Sequence, residues 1–277
     1  MPMKKIVVRG GGDVATGSIQ KLYRAGFKVI VLEMERPLCI RRSVALSEAV
    51  YEGSFIVEDI EAVKVESLNQ INSVLDSDKI PILIDPDGKS ITEIKPFAVI
   101  DATLSKRNIG MSMDMAELTI ALGPGYEAGK DVNFVIETNR GHDLGRIIFE
   151  GSAQPNTHMP GNIHGYTQDR VYYSPVESII RVKKDIRSKV KTGEIIALAN
   201  DIKIVAKVDG IVRGMVRDGT KVDKNVKIAD IDPRPDAMDY CFSISDKARN
   251  IGGGTLEAIM IGLNLSKINY QNDNSHI

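Results

Sequence analysis

Apolar residues follow two rhythms along this chain, and the change between them divides it. In the first half, short unbroken apolar runs alternate with helical stripes. Ile6-Val7-Val8 reads as a buried strand and is followed at once by three glycines. Ala15, Ile19 and Leu22 then fall at the i, i+4, i+7 spacing of a helix packed on a sheet, and Gly26 supplies the left-handed residue that ends it. Residues 27–32 predict a second buried strand, and residues 80–84, 98–102 and 118–122 predict three more, with a helix near 68–75. Strands alternating with helices predict an α/β, Rossmann-like parallel sheet with right-handed crossovers over residues 1–150. Residues 132–137 and 146–150 read as an antiparallel hairpin that closes this domain.

Residues 151–166 carry Gly, Pro, Asn and His without a period and predict a linker, bounded at 151–170. Beyond it lies an internal repeat. Ser174-Pro-Val-Glu-Ser-Ile-Ile-Arg181 aligns with Ala206-Lys-Val-Asp-Gly-Ile-Val-Arg213, and the match continues at Lys189/Lys221, Val190/Val222, Ile196/Ile228 and Ala197/Ala229, always at an offset of 32. Each copy holds short β-rich runs between polar turns. Two copies are too few for a solenoid, so they bury their apolar faces against each other. This predicts a small pseudo-symmetric β-sandwich over residues 171–235, similar to the barrel-sandwich hybrid of lipoyl and biotinyl domains. The hairpin at residues 199–203 is shorter than a carrier loop and offers only Lys203. An unmodified docking or gating module is therefore expected. Residues 236–277 return to helix, with a stripe of Leu256, Ile259, Met260 and Leu263 that starts at Thr255 or, one turn or more earlier, at Asp246, and end in a polar tail.

Composition narrows the function. Apolar residues make up 43% and charged residues 26%, enough for a real core. The 36 basic residues nearly cancel the 37 acidic ones, so no global field attracts nucleic acid or membrane. Two distant cysteines, Cys39 and Cys241, fit a reducing compartment and exclude a disulfide framework. The first strand follows the start too closely for a signal peptide, and no apolar run approaches the ~20 residues of a membrane span. A cytoplasmic protein is expected.

The chemistry sits at strand ends. Gly10-Gly11-Gly12-Asp13-Val14-Ala15 has the G-x-G-x-x-A pattern between a strand and a helix. The first glycine permits the turn, the second admits a phosphate, and Ala15 lets helix and sheet approach. Glu33 follows at the end of the second strand, where a ribose-binding acid belongs. Either this loop binds a nucleotide or pyrophosphate, or the glycines serve the fold alone. Asp13 would repel a phosphate unless it caps the helix or shares a metal with the ligand; capping is the expectation. Arg41 and Arg42, beside Cys39, could grip phosphates and lower the pKa of that thiol. Asp101 and Lys106 follow another strand and could reach the same crevice. Arg140, His142 and Arg146 form the densest polar cluster, either a second wall of that crevice or a decorated turn. The spacing of His142, His158 and His164 matches no metal site, and none is predicted.

Several separated stretches resemble one family. They are Gly10-Gly-Gly-Asp-Val-Ala-Thr-Gly17, Ile40-Arg-Arg-Ser-Val44, Ala49-Val-Tyr-Glu-Gly53, Gly123-Pro-Gly-Tyr-Glu-Ala-Gly-Lys-Asp-Val132, Ile136-Glu-Thr-Asn-Arg-Gly-His-Asp-Leu-Gly-Arg146 and Ile251-Gly-Gly-Gly-Thr-Leu-Glu-Ala258. They are similar to the YqeB-type proteins of selenium-dependent molybdenum hydroxylase systems. The amino-terminal half also resembles, distantly, the Rossmann half of XdhC-type molybdenum cofactor chaperones. The resemblance implies an accessory protein that helps mature a molybdenum hydroxylase, with that enzyme or other maturation proteins as partners. A homo-oligomer is a further partner to test. The protein's cofactor would be the molybdenum cofactor, as a pterin phosphate or dinucleotide. An NAD(P)-dependent oxidoreductase is the alternative that Glu33 favours, although no Tyr-x-x-x-Lys pair accompanies it. A scaffold with a vestigial loop is the third.

Overall fold

A computed structural model describes residues 4–157 and 159–274. The strands are β1 (Lys5–Arg9), β2 (Lys28–Glu33), β3 (Ser54–Val57), β4 (Ile60–Val65), β5 (Ile80–Ile84), β6 (Ala98–Asp101), β7 (Leu118–Leu122), β8 (Glu127–Ala128), β9 (Phe134–Ile136), β10 (Ile147–Ile148) and β11 (Gly151–Ser152) in the first part. Nine of them form one sheet in the order β10-β9-β7-β6-β1-β2-β5-β4-β3, and β8 pairs with β11. All neighbours in the large sheet run parallel except the edge strands β3 and β10. A parallel sheet is covered on both faces, so its strands are apolar on both. Accordingly Ile6 and Val8 of β1 enter the core on one face and Val7 that on the other.

The expected hairpin at residues 132–150 is present, as β9 and β10, with β9 joining the sheet parallel to β7. The hairpin of β3 and β4 was not expected. Its turn holds Glu58 at φ +52° rather than Gly or Asn, so the sequence carries no turn signal there.

Helix α1 (Asp13–Arg24) follows the glycine loop, and short helices α2 (Ala49–Glu52), α3 (Ile71–Asp76) and α4 (Ile91–Ile94) lie in the later connections. The residue-171 onward part holds β12 (Val171–Tyr173), β13 (Ser178–Val182), β14 (Lys189–Val190), β15 (Ile195–Ala199), β16 (Ile202–Val205), β17 (Gly210–Met215), β18 (Lys221–Val222) and β19 (Lys227–Asp232). These make two four-stranded antiparallel sheets, β12-β19-β17-β14 and β16-β15-β13-β18, around one apolar cluster that includes Ile180, Ile196, Val212 and Ile228. The repeat maps onto them directly. Strands β13, β14 and β15 start 32 residues before β17, β18 and β19, and each copy lends its middle strand to the other copy's sheet.

After α5 (Ala237–Tyr240) the chain crosses back as α6 (Asp246–Asn274), which packs on α1. The three glycines 252–254 lie inside this helix, so Asp246, not Thr255, is its start. Thr255 instead bonds the Ile251 carbonyl and the Ser18 hydroxyl. A β-carbon on Gly17 would strike the Ala248 backbone, and one on Gly254 would strike the carbonyl of Gly145. These glycines are contact points for close helix packing rather than helix breakers. Among the described residues, no helix is long and apolar enough to cross a membrane.

Candidate functional site

At the carboxyl edge of the large sheet, Gly10 turns the chain at φ +93°, with the backbone of Ala102 and Thr103 only 3.2 Å from where a side chain would start. Only glycine fits that turn. Gly12 is different. Its φ is −65°, and a β-carbon there would meet nothing within 4 Å. The start of α1 therefore borders open space, the setting in which a helix N-terminus can receive an anion. Gly12 is the N-cap, and no side chain caps the helix. The expected capping by Asp13 does not occur, because Asp13 is already the first residue of the helix and the N-cap position falls to Gly12.

This space is a cleft of about 340 Å³ lined by Arg9, Gly10, Gly12, Ala15, Glu33 and Cys39 with apolar walls that include Leu32, Leu38, Leu104 and Ile109. Glu33 stands at its end, as expected, but its carboxylate accepts the N–H groups of Gly11 at 2.7 Å and Met34 at 2.8 Å. Burial pushes its pKa up, and those two N–H groups work against the rise. The acid thus holds the glycine loop in shape.

Asp101 does not project into the cleft. It is fully buried beneath it, 3.4 Å from the Arg9 guanidinium, and accepts from the Thr103 amide and hydroxyl. Arg9 holds it there and itself donates to the carbonyls of Pro86 and Ile109. Burial, and then the charge of Asp101, push the neighbouring Tyr126 hydroxyl up to about 12. Lys106 is exposed on the loop after β6, at φ +62°, and lines neither the cleft nor the cavity beside it.

That larger cavity, about 800 Å³, lies between the two sheet systems and shares Asp13, Val14, Leu38 and Cys39 with the cleft. Arg41 lines it, 6% exposed, and donates to the carbonyls of Tyr240 and Ser243. Arg42 does not grip a ligand. It donates to the Met215 carbonyl at 2.8 Å and pairs with Asp185 at 2.5 Å, which ties the segment after β2 to the repeat domain. Nor is the Cys39 pKa lowered overall, although the backbone N–H groups of Asp13 and Arg41 act in that direction. Burial pushes that thiol up, and the charge of Asp13 adds to the rise.

Arg140 reaches the cavity and pairs with Asp246 through two bonds of 2.8 and 2.9 Å. His142 and Arg146 are separated from it. They line a shallow cleft with Asn250 and Glu257 beside α6, and Arg146 pairs with Asp143 at 3.3 Å. The parallel β9 does bring this turn to the carboxyl edge, but the turn straddles α6 and only Arg140 falls on the cavity side. His158 lies outside the described residues.

The repeat domain and the end of the linker before it supply what sequence reasoning missed. Arg170, Arg213, Lys227 and Asp230 line the cavity, and Lys247 of α6 joins them. Asp230, 2% exposed, sits 2.6 Å from Arg213 and 3.4 Å from Arg170. Burial alone would raise its pKa, but Arg213 and Lys227 hold it down at about 2. Arg213 was visible only as one of the repeat's identical positions; its counterpart Arg181 is exposed.

No family model matches the chain. A curated protein of Escherichia coli (strain K12), described as uncharacterized protein YqeB, is 47% identical over 256 residues, or 92% of this chain. That match supports the YqeB-type resemblance over most of the chain. The chain spans about half of that relative, 47% of its length. Among solved structures, it is similar to the product-bound and apo forms of the ectoine utilization protein EutE (DoeB) from Ruegeria pomeroyi. The identities are 10% and 8%, the TM-scores 0.26 and 0.25, and the coverage 83% of this chain against 85% and 86% of theirs.

Proposed function

We propose that the chain is an accessory factor in the maturation of molybdenum hydroxylases and that it binds a phosphate-bearing cofactor, a pterin phosphate or a dinucleotide, at the glycine loop. The observation that carries the binding step is the open space beside Gly12, where the start of α1, with no side-chain cap, borders a cleft with apolar walls. A planar ring fits between Leu32, Leu38, Leu104 and Ile109, with its phosphate at the start of α1. The link to molybdenum enzymes rests on the family resemblance. In this reading the repeat domain is an unmodified, lipoyl-like fold that walls the site, and the first sheet corresponds to the Rossmann half of XdhC-type chaperones.

Glu33 bears on the NAD(P) alternative. Its carboxylate receives one backbone N–H on each oxygen, so a ribose hydroxyl would have to take one of the remaining lone pairs and the acid would serve loop and ligand together.

Native mass spectrometry of freshly purified protein is the first test. A retained pterin phosphate or dinucleotide supports the proposal, a retained NAD selects the oxidoreductase, and an empty chain with no affinity for either selects the scaffold. Gly12→Val is the second. The new side chain has room in the fold and costs about 1 kcal/mol as a poorer N-cap, but it fills the anion position. We expect at least a hundredfold loss of cofactor affinity with an unchanged circular dichroism spectrum.

A further inference from the structure

The cavity between the two sheet systems is independent of the glycine loop in its chemistry, and it goes beyond the reading above. We propose that this cavity is a second binding site, for a multiply charged oxyanion of the phosphate or diphosphate class.

Six cations line it: Arg41, Arg140, Arg170, Arg213, Lys227 and Lys247. Three of the six are matched. Asp246 pairs with Arg140, and Asp230 lies between Arg170 and Arg213, with Asp232 behind. The other three make no ion pair among the described residues. Arg41 is nearly buried, yet its bonds go only to backbone carbonyls, and its Nε has no partner. Among the described residues, the ammonium groups of Lys227 and Lys247 make no hydrogen bond or ion pair. Against these three charges stand Asp13, which makes no ion pair, Asp230, already shared by Arg170 and Arg213, and, near Lys247, Glu137, which accepts three backbone N–H groups.

Like charges gathered around one cavity cost free energy unless a counter-charge arrives, most of all where they are withdrawn from water; Arg41 is buried, Lys247 half-buried and Lys227 exposed at the cavity's edge. Burial, and then the charge of Arg140, lower the pKa of Lys247, with Asp13 opposing. The surplus is positive, the donors converge from both sheet systems and from α6, and guanidinium groups match tetrahedral oxyanions geometrically. At about 800 Å³ the cavity has room for a diphosphate with its waters.

The test uses the full chain and calorimetric titration with inorganic phosphate, pyrophosphate and a nucleoside diphosphate such as ADP. Pyrophosphate is expected to bind more tightly than phosphate and to weaken steeply with added salt. Lys227→Met and Lys247→Met should each weaken pyrophosphate about tenfold and the double variant about a hundredfold. Neither lysine holds the fold together, and an unchanged melting temperature without ligand checks this. Gly12→Val should leave pyrophosphate binding intact, so this proposal and the glycine-loop reading fail separately. Equal binding of ADP and pyrophosphate in wild type means the anion is a free molecule. Tighter ADP binding that Gly12→Val abolishes means it is carried on the cleft's ligand. Wild-type pyrophosphate affinity in the double lysine variant overturns the proposal, as does loss of pyrophosphate binding in Gly12→Val alone.

Discussion

The cleft at the glycine loop and the cavity beside it share Asp13, Val14, Leu38 and Cys39, yet they are built in opposite ways. The cleft is made of backbone and apolar surface, from loops that follow parallel strands. The cavity is made of charged side chains, several of them rising from the middle of antiparallel strands or from a helix start. A backbone site is blocked by added atoms, while its own donors survive side-chain substitution. A side-chain site is sensitive to charge balance, and its members also hold the fold. Function and stability should therefore separate cleanly at the cleft and remain coupled at the cavity.

The largest expected effect tests that coupling. Asp230→Asn leaves the buried Arg170 and Arg213 without their shared carboxylate. The loss should reach about 3–5 kcal/mol in chemical denaturation, against about 1 kcal/mol for Gly12→Val. Equal losses in the two variants would erase the distinction.

Next comes the helix that serves the cavity without touching the cleft's glycines. Gly17→Val forces a side chain into the Ala248 backbone and should cost about 1–3 kcal/mol by overpacking. Because α6 carries Asp246 and Lys247, the variant should also weaken pyrophosphate binding, read by the same titration.

The smallest effect is a pH dependence. Asp230 has a folded pKa of about 2, below the unfolded value of about 3.9. Its stabilisation is complete above the unfolded value and is lost as pH falls through the folded one. By pH 3 about 1 kcal/mol should be gone. Near-ultraviolet dichroism of the tyrosines, Tyr172 of the repeat core among them, follows the transition. Asp230→Asn should remove this component; an identical acid profile in that variant would assign it to other carboxylates.

The same contrast decides what could be read from the sequence. Punctuated features were legible. The three glycines stand between an apolar run and a helical stripe, and the offset-32 repeat marks out the strands of the two small sheets. Features that depend on long-range contact were not. Arg41, Arg213, Lys227 and Lys247 come from three distant segments, and nothing local distinguishes buried Arg41 from Arg42, which turns to Asp185. Asp101 sits at a strand end, as a ligand-facing acid would, but Arg9 captures it beneath the floor. Gly252, Gly253 and Gly254 read as the end of a loop. Two of them meet α1 and the Gly145 turn so closely that no other residue would fit, and that contact keeps them helical.

The exchanged middle strands of the repeat carry a consequence for descent. With β14 seated beside β17 and β18 beside β13, neither copy completes its own sheet. One copy alone would expose unpaired strand edges and half of an apolar cluster, a state that recruits another copy rather than folding by itself. The smallest ancestor of this segment that could fold was already two copies, joined in one chain or paired across two.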